Sequence, residues 1–223
     1  MNKEKNLLMI NELSNAPGVS GFEDEAVGVL RRHGEGLGDF REDSMRNLYL
    51  RRKGNKTGQP LLLLDAHSDE VGFMVRNIRA NGLLEFVTLG GWVPYNVPAH
   101  KVLVRNKDGK WLPGIVASKP PHFLSEAEKK QVPDVAEMVI DLGSSSEQET
   151  RELYRIGIGA PVVPEVVFEY NADRDIMMGK AFDDRLGCAA ILAILKELSG
   201  VDLGVDVVAG FAVQEEMGLR GAT

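Results

Sequence analysis

The chain has 223 residues, 43% of them hydrophobic and 26% charged, enough to bury a sizeable core in one or two domains. Its net charge is −7 and no basic run stands out, which argues against nucleic acid and anionic membrane surfaces as partners. A single cysteine, Cys188, rules out an internal disulfide, and no apolar run is long enough to span a membrane, so the expected location is cytoplasmic.

Leu7, Leu8, Ile10 and Leu13 recur at helical spacing and predict an amphipathic helix over Lys3–Leu13. Asn11 and Glu12 break this stretch, so it does not read as a signal peptide. "SGFE" then reads as a capping box, with Ser20 as N-cap and Glu23 reaching back, before a helix that runs to about His33. "NLYLRRK" predicts a strand. "LLLLDAHSDEVG" opens with four leucines and predicts a strand buried on both faces.

From Gly72 the texture changes. "VRNIRANGLLEFVTLGG" and "KVLVRNKDGKWLPGIVA" alternate in hydrophobicity and are punctuated by Asn81-Gly82 and Asp108-Gly109, which are hairpin signals. "KPPHFLSEAEKKQVPD" reads as a surface loop, and "SSSEQETRELYRIG" as one short helix. After Asp173 the α/β texture returns. Asp184–Leu198 predicts a helix burying Leu186, Ala189, Ala190, Ile194 and Leu195, and "VDVVAGFAV" predicts a buried strand. The resulting organisation is an α/β domain in two pieces, 1–71 and 164–223, with a β-rich domain of 72–163 between them.

Three groups of residues share one placement. His67 and Asp69 follow a strand, Asp183 and Asp184 open a helix, and Glu215 and Glu216 follow a strand. Sites in α/β sheets form beyond the carboxyl ends of strands. Singly, each group has a bland reading: an exposed histidine, a helix cap, a solvated turn. Together they concentrate anions that repel one another unless a cation lies between them. Two divalent metals bridged by a carboxylate satisfy that arrangement, and histidine with carboxylates suits zinc, manganese or cobalt. Asp69, two residues after His67 on an extended chain, is placed to hold the other imidazole nitrogen. Of two adjacent glutamates, one can bind metal while the other acts as general base.

"AHSDEVGFMV", "GKAFDDRLG" and "VQEEMGLRGA", in this order, resemble the glutamyl aminopeptidase family, also called the tetrahedral (TET) aminopeptidases. The loops "SNAPGVSGFE", "TLGGW" and "SKPPHFL" look similar as well. The resemblance implies a peptidase with two divalent metals, zinc or cobalt, that removes N-terminal residues from peptide substrates. It implies an aminopeptidase-like α/β sheet with helices on both faces, and an inserted PDZ-like or barrel-like domain that helps form a dimer and then a dodecamer. By resemblance His67 binds one metal with Asp69 behind it, Asp183 bridges both, Glu216 binds the second, and Glu215 is the general base. It also implies a cis Asp183–Asp184 peptide. The family continues beyond Thr223 with a later aspartate and histidine ligand, so the chain reads as C-terminally truncated. Two rival readings stand beside this one: a glycoside hydrolase, which the 6% aromatic content does not favour, and an inactive piece serving as a scaffold. Cys188 is expected in the core, His100 and His122 in structural roles, and Trp92 and Trp111 in packing or an interface. Arg185 is expected to pair with Asp184 or to sit exposed.

Overall fold

A computed structural model describes residues 2–222. In chain order it runs α1 (Lys3–Asn15), α2 (Asp24–Gly34), β1 (Gly38–Glu42), β2 (Leu48–Arg52), β3 (Leu61–His67), β4 (Gly72–Ile78), β5 (Leu84–Leu89), β6 (Lys101–Arg105), β7 (Trp111–Ala117), β8 (Val139–Asp141), α3 (Glu147–Glu152), β9 (Pro161–Pro164), β10 (Glu169–Asn171), β11 (Ile176–Met178), α4 (Phe182–Glu197) and β12 (Asp206–Ala212). The chain divides into two compact units, one made of residues 1–70 and 166–223 and the other of residues 71–165.

The first unit is a four-stranded sheet in the order β1-β2-β12-β3. The middle strand β12 runs parallel to β3 and antiparallel to β2. Its sequence "DVVAGFA" is apolar at nearly every position because both edges are paired, and almost all of it is buried. Leu48, Leu50, Ala66, Val207, Ala209 and Phe211 share one sheet face and pack with Met9 and Leu13 of α1, Leu30 of α2 and Leu192 and Leu195 of α4. The α/β class holds, and among the described residues these three helices share that single core.

The leucine run departs from its sequence reading. Leu61, Leu62 and Leu63 are 67%, 46% and 52% exposed, because β3 has one hydrogen-bonded neighbour and ends the sheet. Ala190 and Ile194 are also exposed, while Ile191 and Leu192 take the inward positions on α4. The short β1 and the β10–β11 hairpin carried too little apolar periodicity to be predicted.

The second unit is a closed barrel in the order β4-β5-β8-β7-β6-β9, so the barrel-like expectation holds. Both hairpin dipeptides sit between paired strands, β4–β5 and β6–β7. Gly82 adopts a φ of +88°, and a Cβ there would meet the Ser144 backbone oxygen at 3.0 Å, so only glycine fits. Phe73 lies at the centre, stacked on Trp92 with ring centroids 4.5 Å apart and edge-on to Phe86 at 4.8 Å. Phe73 and Phe86 are wholly buried in the barrel, which assigns them to packing and not to an interface. The "KPPH" stretch forms an exposed 3-10 turn, Pro121–Phe123.

Candidate metal centre

Because β3 and β12 are parallel, with Ala212 opposite His67, their carboxyl ends lie side by side. His67 is the last residue of β3, and Glu215 and Glu216 follow β12. Gln214 takes a left-handed conformation, φ 54°, which turns the chain at the strand end. One ligand atom each from His67, Glu215 and Glu216 lie within 4.8 Å of one another. Asp183, at the start of α4, places Oδ1 3.1 Å from His67 Nε2. The Asp183–Asp184 peptide is cis.

Asp69 organises this group from beneath. It is completely buried, and its two oxygens accept from the main-chain N–H of Glu215 at 3.0 Å and of Glu216 at 3.1 Å. Ser20 Oγ donates to the same carboxylate at 2.6 Å. Burial alone would push the Asp69 carboxyl up, but His67, Ser20 and these two amides outweigh it and hold the group below the ordinary carboxylate range. Glu23 is buried too, accepting from Gly21 N–H at 2.6 Å and Gln214 N–H at 3.1 Å. Its burial, with the charge of Asp69 adding, pushes its carboxyl up against these hydrogen bonds.

These contacts correct the capping-box reading. Helix α2 begins at Asp24, Glu23 occupies the N-cap position, and Glu23 makes no capping hydrogen bond. The side chains of Ser20 and Glu23 are used instead to hold Asp69 and the turn before Glu215. A local motif scan reads four residues and has no access to partners 49 and 191 positions away.

The imidazole of His67 has two distinct sides. Nδ1 lies 3.2 Å from the Asp69 carbonyl oxygen and 3.5 Å from its carboxylate. A carbonyl oxygen can only accept, so Nδ1 carries a proton. Nε2 then faces Asp183 Oδ1 at 3.1 Å and Glu215 Oε2 at 3.6 Å, both acceptors. A lone pair pointed at two carboxylates is unfavourable, so this nitrogen calls for a cation, either a second proton or a metal ion. Burial alone would lower the imidazole pKa, yet Asp69, Asp183 and Glu215 raise it to about 9. Glu216 is pushed up by burial and by the surrounding carboxylates, against the opposing pull of His67. One imidazole nitrogen and several carboxylate oxygens form the donor chemistry that divalent transition metals accept, so the residues present fit such an ion.

Cys188 is fully buried beneath this site. Its thiol donates to the His67 carbonyl at 3.2 Å, and burial pushes its pKa up, so it is a core group and not a reactive one. Arg185 differs from its expectation: it is buried, donates to main-chain carbonyls, and its carboxylate partner is Glu70 at 3.5 Å. Sequence reasoning gave no role to Ser20, Glu23 or Arg185 at the site.

A sheet with a histidine and three carboxylates gathered at the carboxyl ends of a parallel strand pair defines an α/β protein with a cation-seeking site. The chain belongs to the M42 glutamyl aminopeptidase family, whose sequence model matches residues 46–223. It is 32% identical over 215 residues to the glutamyl aminopeptidase of Lactococcus lactis subsp. cremoris, covering 96% of this chain and 60% of that one. It superimposes with a TM-score of 0.93 and 36% identity on a TET aminopeptidase from a marine sediment Thaumarchaeota archaeon, covering 100% of this chain and 62% of that one. The TET1 peptidase of Pyrococcus horikoshii, which can assemble into a tetrahedron or a large octahedral shell, matches with a TM-score of 0.85 and 28% identity, over 97% of this chain and 63% of that one. The chain thus spans about three fifths of the length of these relatives. No helix among the described residues is long and apolar enough to cross a membrane.

Proposed function

We propose that this chain carries the metal-binding α/β domain of an aminopeptidase that removes N-terminal residues from peptides. The observation that supports it most is the two-sided histidine, with Nδ1 committed to Asp69 and Nε2 turned onto the carboxylates of Asp183 and Glu215. In this reading His67, Asp183 and Glu216 would hold the divalent ions, zinc or cobalt. Such ions would supply a water of lowered pKa and Lewis-acid polarisation of a scissile carbonyl. Glu215, partly open to solvent, accepts the proton of the attacking water on its carboxylate. Asp69 keeps the imidazole in one tautomer and, through two main-chain N–H groups, fixes the turn that presents both glutamates. The barrel supplies none of these groups, and we assign it to self-association into a dimer and larger shell. The assembly of the Pyrococcus horikoshii relative into a shell supports self-association as such.

The test combines metal content with hydrolysis. Aminoacyl anilides are assayed against carboxymethylcellulose, each with and without a chelator. In the full-length protein, Glu215→Gln should retain its metal and lose roughly 10²–10⁴-fold in turnover, whereas Glu216→Gln should weaken metal binding. Near-normal turnover of fully metallated Glu215→Gln would move the base elsewhere. Chelator-insensitive cleavage of the cellulose would favour the glycosidase reading.

A further inference from the structure

Arg185 is among the largest fully buried side chains of the protein. Its Nε donates to the Ser68 carbonyl at 2.9 Å. Nη1 donates to the carbonyls of Leu13 at 2.9 Å and Ala16 at 2.5 Å, and Nη2 to that of Gly18 at 3.1 Å. Nη2 also lies 3.5 Å from Glu70 Oε1. These acceptors belong to two segments far apart in sequence, the end of α1 with its following loop and the residues just after β3. Arg185 itself lies two positions after Asp183 on α4.

The two segments are further tied together. Glu70 N–H donates to the Gly18 carbonyl at 2.9 Å, and Gly18 N–H donates to Glu70 Oε1 at 3.0 Å. Lys180 Nζ holds both Glu70 oxygens, at 2.5 and 2.7 Å. Two residues beyond Gly18, Ser20 reaches Asp69, which carries the amides of Glu215 and Glu216. One guanidinium therefore joins the loop that braces Asp69, the segment that follows His67 and the helix start that bears Asp183.

Burying a cation is costly unless all its donors are met, and an apolar side chain of similar volume would fill the same space without that cost. Only a planar fork with five donors reaches carbonyls on both segments at once; an ammonium on a flexible stem does not. Gly18 is shaped to the same end, because a Cβ there would lie 2.7 Å from Arg185 Nη2.

We propose that Arg185 is a positioning residue that sets the separation of His67 and Asp183 by clamping the Leu13–Gly18 and Ser68–Glu70 segments onto the start of α4. The inference deepens the metallopeptidase reading and rests on it for what the positioned groups do. It is tested on the whole chain with Arg185→Lys and with Gly18→Ala, a milder change that crowds the guanidinium. Arg52→Lys is the control, since Arg52 is also buried and donates to main-chain carbonyls, those of Leu198 and Val201.

Amide hydrogen exchange reads positioning without any metal. Both test variants should speed exchange at Asp69, Glu70, Glu215 and Glu216 by roughly ten-fold or more, while the barrel amides and the control stay as in the parent. Cobalt binding, followed by its visible absorption and by chelator competition, should weaken by about 10–100-fold with an altered spectrum. Unchanged exchange at these four amides, or a loosening equal to that in Arg52→Lys, overturns the proposal. The chain spans about three fifths of its relatives' length, so absence of cobalt binding by the parent bears on the metal reading of this chain alone, while the exchange experiment, which needs no metal, still decides the role of Arg185.

Discussion

Raising the pH of the metal-free chain should destabilise it through His67. The imidazole pKa, which burial alone would lower, is raised from 6.5 to about 9 by Asp69, Asp183 and Glu215. Between those values the native state binds more protons than the unfolded chain. The stabilisation is therefore fully present below 6.5 and is lost as pH rises through 9. The whole interval corresponds to about 3 kcal/mol at about 1.4 kcal/mol per pH unit. Asp183 is 89% exposed and Glu215 is partly open, so solvent screening reduces this to about 1–2 kcal/mol. Lys180 works in the opposite sense. Burial lowers its pKa from 10.5 to about 8, against the pull of Glu70, so the unfolded chain binds more protons between those values and stability rises with pH there. The fall should thus appear between pH 6.5 and 8 and flatten above. Urea unfolding in chelator, followed by helix circular dichroism, reports mainly α1, α2 and α4. The parent midpoint should drop across this range, His67→Gln should stay flat, and Lys180→Met should keep falling towards pH 9. A flat parent profile, or an equal fall in His67→Gln, would refute the argument that the carboxylates hold a cation on Nε2.

Ser20→Ala removes the hydroxyl donor to buried Asp69 and should cost about 1–3 kcal/mol in urea unfolding; a loss restricted to α2, with Glu215 and Glu216 amides unaffected, would restore the capping role. Phe86→Ala should destabilise the barrel by about 3–5 kcal/mol, read from the fluorescence of Trp92, which stacks on Phe73; a loss under about 1 kcal/mol would mean the core closes over the gap. Deleting the barrel from the full-length protein and joining its ends with a short linker should reduce any oligomer to monomers in light scattering. An unchanged particle would show that the α/β unit assembles alone.

The β-rich character of the second unit was legible because hairpins announce themselves locally: Asn81-Gly82 and Asp108-Gly109 supply the turn conformation between alternating strands. The central strand was legible because pairing on both edges demands continuous apolar residues, as "VDVVAGFAV" shows. The leucines of β3 misled for the same reason, since composition does not reveal that the strand has a single neighbour. At the site, the sequence supplied the chemical types, His67 with Asp69 and the paired glutamates, and the parallel register then brings them within reach. The supporting contacts were hidden. Ser20 and Glu23 fit a helix-capping pattern so well that their long-range partners had no local signal. Arg185 beside two aspartates suggested an ion pair with Asp184, whereas its partners are mostly main-chain carbonyls, which every residue possesses and no sequence pattern marks, with Glu70 its carboxylate partner.

The seven-residue parallel pairing of β3 with β12 acts as a ruler with coarse graduations. Strands slide past one another only in whole-residue steps of about 3.3 Å, and a single step reverses the face on which each side chain emerges. A slip of one residue would carry His67 away from Glu215 altogether, with no intermediate setting. Changes within these strands should therefore act on the site as presence or absence. Graded adjustment of its dimensions is left to the short segments past the strand ends, where Gln214 turns the chain and Asp183 meets α4.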